Sequence, residues 1–279
     1  MGSVTPASTR DPVATHYDAL DRWYRALWGE HLHHGLWGPN TRDRLEASEA
    51  LLRALVDAAR LNPGMHVCDV GCGYGGPARW LAAITGAEIL GITNSPAQAA
   101  FAREVSADPR VDIRLGDWRA NGLPGGAFDA VLAIESLAHF THPAEAIREM
   151  IRVAKPDGRI VIATWITGKS PSRWANRWLL DPIRRTGESP GLAEETAYQK
   201  WLKEAGAVEI SVEHFGPQVR RTWSNAMLRA VQALFTDRAL LRDAVCHPVQ
   251  TWRLATSAAR IWLGYRLGRL DYAIFTYVR

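Results

Sequence analysis

VCDVGCGYGGPARW, Val67 to Trp80, is the stretch from which the rest of the chain is read. An apolar run ends in a glycine-rich turn, and the turn leads into the start of a helix. Gly71, Gly73, Gly75 and Gly76 let the backbone turn sharply and approach a ligand with no side chain between. A turn of this kind delivers the ligand to a helix N-terminus, where free N–H groups and the helix dipole favour a carboxylate or a phosphate.

Strand and helix signals alternate C-terminal to this stretch. The pattern predicts strands at Met65–Val70, Ala87–Ile92, Val111–Leu115, Phe128–Ile134 and Arg159–Trp165. Helices are expected from the glycine turn to about Ile84, over Pro96–Val105 with Ser95 as N-cap, and from Pro143 to Ala154. Lys155-Pro156-Asp157-Gly158 reads as a turn. This rhythm requires a doubly wound, mostly parallel sheet with buried central strands.

On the N-terminal side, residues 1–10 lack periodicity and read as disordered. Asp11-Pro12 resembles an N-cap and first helical position, opening a helix to about Gly29. HLHHGLWGPN follows as a loop, and a second helix covers Arg44–Ala59. Beyond Trp165, a short amphipathic piece around Trp174, Trp178 and Leu179 precedes a helix near Glu194–Ala205 and a strand at Val208–Phe215. Residues 223–267 are strongly helical, with breaks at Thr236 and Pro248, and Tyr272–Val278 reads as a last strand. The expected organisation is one domain over 11–279. Its parts are N-terminal helices (11–62), a cofactor core (63–166), the remaining sheet (167–222 and 272–279) and a helical cap inserted at 223–271.

The bulk composition, 47% hydrophobic and 22% charged residues, is that of an ordinary globular protein. A net charge of +4 without a lysine or arginine block gives no nucleic-acid arm and reads as an evenly solvated basic surface. No apolar run approaches a membrane span, and MGSVTPASTR lacks the apolar centre of a secretory signal, so the expectation is cytoplasmic. Cys68, Cys72 and Cys246 are too few for a disulfide framework, and Cys68 and Cys72 should point apart as small buried fillers. The chain has 12 tryptophans, many in the flanks of the core, which suit packing or an apolar pocket.

Gly71-x-Gly73-x-x-Gly76 fits the dinucleotide spacing, but that reading also needs an acid at the end of the second strand. Gly91-Ile92-Thr93-Asn94 stands there instead, and no Gly-Lys-Ser/Thr follows the turn to make a P-loop. Asp69, just before the first glycine, favours a ligand with an ammonium group. S-adenosylmethionine (SAM) is such a ligand. Gly71 and Gly73 would bring the backbone to its methionyl end. Thr93, Asn94 and Gln98 can hydrogen-bond its ribose, Asp117 its adenine amino group beside Trp118, and Ile134 and Glu135 end the fourth strand at the ligand edge. Glu135 is expected near the ammonium.

In order and spacing, VCDVGCGYGG, GITNSPAQ, LGDWRANGLP, FDAVLAIESLAHFTHP and RVAKPDGRIVIATW resemble class I SAM-dependent methyltransferases. GITNSPAQ is similar to a segment of the tocopherol, sterol and cyclopropane-synthase subgroup, which lacks the acidic ribose residue. YDALDRWYRALWGEHLHHGLW, VEHFGPQVRRTW and YRLGRLDYAIFTYVR resemble the tocopherol methyltransferase branch, and bacterial sugar and macrolide O-methyltransferases and plant alkaloid N-methyltransferases look similar there. The resemblance implies a Rossmann-like seven-stranded sheet with N-terminal helices and a helical C-terminal cap. It also implies SAM as cofactor, S-adenosylhomocysteine as product and Tyr17 over the methionyl end. Asn94 departs from the subgroup's leucine. Ala138 stands where relatives often carry an acid or a second histidine, which leaves the role of base to His139.

Methyl transfer to a hydroxyl needs a general base, usually histidine. His139, just after the fourth strand, is expected to serve, the alternative being a structural hydrogen bond over the cofactor. His31 reads as a surface-loop residue, while His33 and His34 are expected in the acceptor pocket with Trp28, Trp37, Trp165 and Trp223. His31, His33 and His34 lack a carboxylate or cysteine at ligand spacing, so no metal is expected. The expected activity is O-methylation of an apolar, ring-containing small molecule of secondary-metabolite type. C- or N-methylation, or a reaction other than methyl transfer on the same scaffold, stays open. A small-molecule acceptor is the expected partner, with neither nucleic acid nor an integral membrane association, as monomer or homodimer.

Overall fold

In the computed structural model, which describes residues 12–168, 172–186 and 189–279, the stretch read first lies at the centre of a sheet. β1 (His66–Val70) pairs in parallel with β2 (Glu88–Thr93) on one side, and β3 (Val111–Leu115) continues beyond β2. On its other side lie β4 (Phe128–Ile134) and then β5 (Ala154–Thr167), both parallel to it. β6 (Val208–His214) and β7 (Leu270–Val278) complete seven strands in the order β3-β2-β1-β4-β5-β7-β6, with β7 antiparallel to both neighbours. The mostly parallel sheet and the closing strand are those expected; that the closing strand runs antiparallel is added by the structure.

In chain order the helices are α1 (Pro12–Ala19), α2 (Asp21–Trp28), α3 (Arg44–Ala59), α4 (Gly76–Thr85), α5 (Pro96–Val105) and α6 (Pro143–Val153). A bent segment follows, made of α7 (Arg173–Ala175), a π-helical turn (Asn176–Leu180) and α8 (Asp181–Thr186). Then come α9 (Glu195–Glu204), α10 (Gly216–Val219), α11 (Arg221–Thr236), α12 (Arg238–Cys246) and α13 (Pro248–Arg266). Ser95 caps α5 as expected, its hydroxyl accepting from the Gln98 N–H at 3.1 Å. The disordered start and the Asp11 cap lie outside the described residues.

Strand β1 is buried on both faces, which explains its near-continuous apolar sequence. Val67 packs with Leu51, Leu55 and Leu81 beneath α3 and α4, while Cys68 and Val70 pack with Ile147 and Met150 of α6. Cys68 and Cys72 fall in opposite layers, both buried with free thiols, as the fillers expected. α10 to α13 fill the connection between β6 and β7, forming the expected cap.

Two local expectations are corrected. The first helix is two, because Leu20 leaves helical geometry (φ −109°, ψ 8°) and turns its side chain into a small core with Trp23 and Leu240. Lys155-Pro156-Asp157-Gly158 does not precede β5 but loops out within it: Ala154 pairs Phe128 and Arg159 pairs Ala130. Asp157, at φ 62°, makes that bulge.

Candidate active site

The strand order reverses between β1 and β4, and open α/β sheets bind ligands at the carboxyl ends of the strands beside that point. A cavity of about 620 Å³ opens there. Its floor includes Asp69, Gly71 and Gly73 at the end of β1 and just beyond it, Ile92, Thr93 and Asn94 at the end of β2, Asp117 and Trp118 after β3, and Ile134 and Glu135 at the end of β4. Tyr17 of α1 and Tyr24 and Trp28 of α2 face it from one side, and Trp223, Met227, Leu254 and Ile261 of the cap from another.

Backbone geometry shapes the floor. Gly71 and Gly73 have φ of 77° and 56°. A Cβ on Gly71 would stand 2.4 Å from the Ser136 Cβ, so only glycine fits where the two strand ends converge. The Ser136 hydroxyl, in turn, donates to the Val70 carbonyl and ties the same two ends together. No side chain caps the N-terminus of α4.

Asp69 is 1% exposed, and both of its carboxylate oxygens lack a hydrogen-bond partner among the described residues. Burial pushes its carboxyl up to about 7. A buried carboxylate without a donor is costly, and a cationic ligand offsets the cost. The floor therefore fits a ligand that carries an ammonium group beside a carboxylate.

Two polar constellations line the cavity. In the first, Tyr17 Oη lies 3.0 Å from His139 Nε2. Asp18, next to Tyr17, accepts from the Ser95 hydroxyl at 2.6 Å, so α1 is fastened to both the β2 and β4 ends. In the second, Glu135, at φ 58°, accepts from the His34 N–H at 2.7 Å, from His34 Nδ1–H at 2.8 Å and from the Tyr272 hydroxyl at 2.9 Å. Trp223 Nε1–H donates to His34 Nε2 at 2.6 Å. An indole N–H only donates, so His34 Nε2 accepts here and its Nδ1 carries the proton given to Glu135. Burial pushes the Glu135 carboxyl up, but the His34 contacts pull it down further, and the balance lies below the usual range.

The family model described as a methyltransferase domain matches residues 68–162. The 27-O-demethylrifamycin SV methyltransferase of Amycolatopsis mediterranei is 30% identical over 226 residues, 79% of this chain and 82% of that one. The chain belongs to the SAM-dependent methyltransferases.

Two further similarities span nearly the whole methyltransferase. The chloroplastic tocopherol O-methyltransferase of Arabidopsis thaliana is 28% identical over 96% of this chain and 81% of its own. The crystal structure of the [4+2]-cyclase SpnF superposes with a TM-score of 0.81 at 25% identity, covering 99% of both chains. The cofactor is SAM, as expected, and the chain is a SAM-dependent small-molecule methyltransferase. Among the described residues, no helix is long and apolar enough to cross a membrane and no cluster is suited to a metal ion.

Of the residues expected at the site, Tyr17, Asp69, Gly71, Gly73, Thr93, Asn94, Gln98, Asp117, Trp118, Ile134, Glu135, His139, Trp28, His33, His34, Trp165 and Trp223 all line the cavity. Trp37 does not. Its Nε1–H donates to the Thr222 hydroxyl at 2.9 Å and its ring lies under the Arg221 guanidinium at 4.7 Å, because the loop after His34 turns towards α11. The Glu135 carboxylate lines the cavity but already accepts from three protein donors, two on Oε1 and one on Oε2. His31 is buried rather than on a surface loop, its ring edge-on to His33. Thr93 donates to Gln98 at 2.8 Å, and Asp117 binds Arg119 through two guanidinium nitrogens.

Several cavity residues went unread in the sequence: Met227, Ala230, Leu234, Leu254, Ala258 and Ile261. Their helical spacing was visible, but only the tertiary arrangement shows which face of the cap turns inward.

Proposed function

We propose that this methyltransferase transfers a methyl group to a hydroxyl oxygen of an apolar, ring-containing small molecule, with His139 as general base. The observation that carries this reading is the Tyr17–His139 contact, because it marks a place on the cavity wall where a hydroxyl oxygen sits 3.0 Å from an imidazole nitrogen. SAM, when bound, supplies an electrophilic methyl group.

Asp69 would hold the ammonium of the cofactor and the backbone at Gly71 and Gly73 its carboxylate. Thr93, Asn94 and Gln98 would meet the ribose, Asp117 and Trp118 the adenine, and the end of Ile134 the methionyl chain. An acceptor hydroxyl in place of the Tyr17 hydroxyl would give its proton to His139 Nε2, and the sulfonium–methyl bond would break as the oxygen–methyl bond forms, leaving S-adenosylhomocysteine. Alignment and exclusion of water supply most of the remaining acceleration. Trp28, Trp165 and Trp223, with Met227 and Leu254, form an apolar wall suited to a ring system. His33 adds a polar point: its Nδ1–H donates to the His34 carbonyl at 2.7 Å, its Nε2 has no partner among the described residues, and burial pushes its pKa down.

The deciding experiment incubates the enzyme with methyl-labelled SAM and a panel of phenols, macrolide alcohols, sugars and amines, followed by mass spectrometry. Label on a hydroxyl oxygen supports the reading, and label confined to carbon or nitrogen refutes it. A second reading, cyclisation without methyl transfer, is favoured by the full-length similarity to a [4+2]-cyclase. It predicts a product of unchanged mass.

A further inference from the structure

We propose that the outer face of the helical cap docks on an anionic lipid bilayer and holds the mouth of the cavity against it. This goes beyond the methyl-transfer reading and does not depend on which atom is methylated.

The charge of the chain is not evenly spread, contrary to the expectation from composition. Between Gly216 and Arg266 there are eight arginines against two aspartates and no lysine or glutamate, while the whole chain is only +4. Both aspartates are engaged locally. Asp237 caps α12 through the Ala239 and Leu240 N–H groups, and Asp243 accepts from Trp23 Nε1–H at 2.6 Å and contacts His247. Arg238, Arg242 and Arg253 are exposed, and among the described residues none is in an ion pair.

The same helices expose large apolar side chains on regular stripes. Leu228, Val231 and Phe235 follow i, i+3, i+7 on α11, Leu241 and Val245 follow i, i+4 on α12, and Val249 and Trp252 follow i, i+3 on α13. Phe235 is 86% exposed, Val245 71%, Trp252 70% and Val249 66%. Such residues are normally scattered singly on a surface; repetition on three contacting helices marks an interaction face. Val231 belongs both to the exposed stripe and to the cavity wall, and Leu234, Thr251, Leu254 and the exposed Ala255 continue that wall. The apolar face and the mouth are therefore continuous.

Apolar side chains beside uncompensated arginines suit the boundary between anionic headgroups and acyl chains. A second copy of the chain fits poorly, because a two-fold contact would set these arginines against each other. An apolar acceptor dissolved in the leaflet would then reach the cavity without crossing water.

The test is co-sedimentation of the full chain with vesicles of phosphatidylcholine alone or with phosphatidylglycerol, at low and high salt. Binding to the anionic vesicles, weakened by salt, is expected. Replacing Arg238, Arg242 and Arg253 together by glutamine is expected to weaken partitioning about fivefold per arginine, on the order of a hundredfold in all. Phe235→Ser with Trp252→Ser is expected to cost at least about tenfold. S-adenosylhomocysteine affinity and thermal unfolding should be unchanged in both variants, which separates lost docking from lost folding. Failure to bind anionic vesicles at low salt, or binding unaltered by both variants, overturns the proposal. A complex with an acidic carrier protein in place of vesicle binding assigns the face to a protein and equally overturns it.

Discussion

Tyr17 Oη and His139 Nε2, 122 residues apart in sequence, lie 3.0 Å from each other in the wall of the cavity. The contact joins the first described helix to the loop after β4. It places a phenol hydroxyl where the proposed reaction needs the hydroxyl of an acceptor.

His139→Ala is therefore expected to lower kcat by about 10²- to 10⁴-fold, the usual contribution of a general base. S-adenosylhomocysteine affinity should stay within a few-fold, because Asp69 and the glycine floor are untouched. Steady-state kinetics with calorimetry check both, and an unchanged rate would remove His139 from the role of base.

Asp69 links cofactor binding to pH. Its carboxyl is pushed up to about 7 by burial, so the ligand-free protein keeps a proton that the unfolded chain loses near about pH 4. Between those values the folded state binds more protons, and its stability falls as pH rises. With Asp69 as ammonium partner, only the ionised form binds. Affinity for S-adenosylhomocysteine should then drop about tenfold per pH unit below 7, with proton release near pH 6 visible as a buffer-dependent calorimetric enthalpy. Asp69→Asn should abolish that dependence, weaken binding and raise the melting temperature of the ligand-free protein at pH 8.

Gly71→Ala places a Cβ 2.4 Å from that of Ser136 at a φ of 77°. The left-handed backbone costs about 1–2 kcal/mol and the overlap about 1–3 more. Denaturant unfolding should show a loss on that scale, together with loss of cofactor binding. Gly64→Ala, also at positive φ but with nothing near its Cβ, should show only the backbone part.

Trp223→Phe keeps an aromatic wall but removes the N–H that occupies His34 Nε2. About 1 kcal/mol of stability should be lost, the scale of one hydrogen bond. The KM for the acceptor should rise while cofactor affinity holds. An acceptor KM equal to that of the parent enzyme would detach the Glu135–His34–Trp223 chain from acceptor recognition.

The core of the fold was legible because its signals are local. β3, β4, α3 and α5 fall on the expected residues, since each is bounded by its own glycine, proline or N-cap and carries its own period. The Asp69–Gly76 part of the cavity floor was legible for the same reason: the end of β1, the glycine turn and the start of α4 are contiguous in sequence. Long-range pairing was not. Nothing in HLHHGLW says that His34 meets Glu135 101 positions later, or that Trp37 turns away to Thr222. The partners of Glu135, His34 and Tyr272, come from opposite ends of the chain, and no local signal announces either. The charge asymmetry was present in the arginine count, but its meaning required knowing that residues 216–266 stand together on one part of the molecule.

The cap begins and ends at almost one point. The Phe215 N–H donates to the Tyr272 carbonyl at 2.8 Å, so everything between them is, topologically, the loop of an antiparallel hairpin. Closing a longer loop adds only about 0.6 kcal/mol for each doubling of its length. An ancestor could therefore exchange this whole segment for another of different size at little thermodynamic penalty, and the seat of the methyl donor would never register the change. The catalytic chassis and the choice of acceptor can thus be inherited separately.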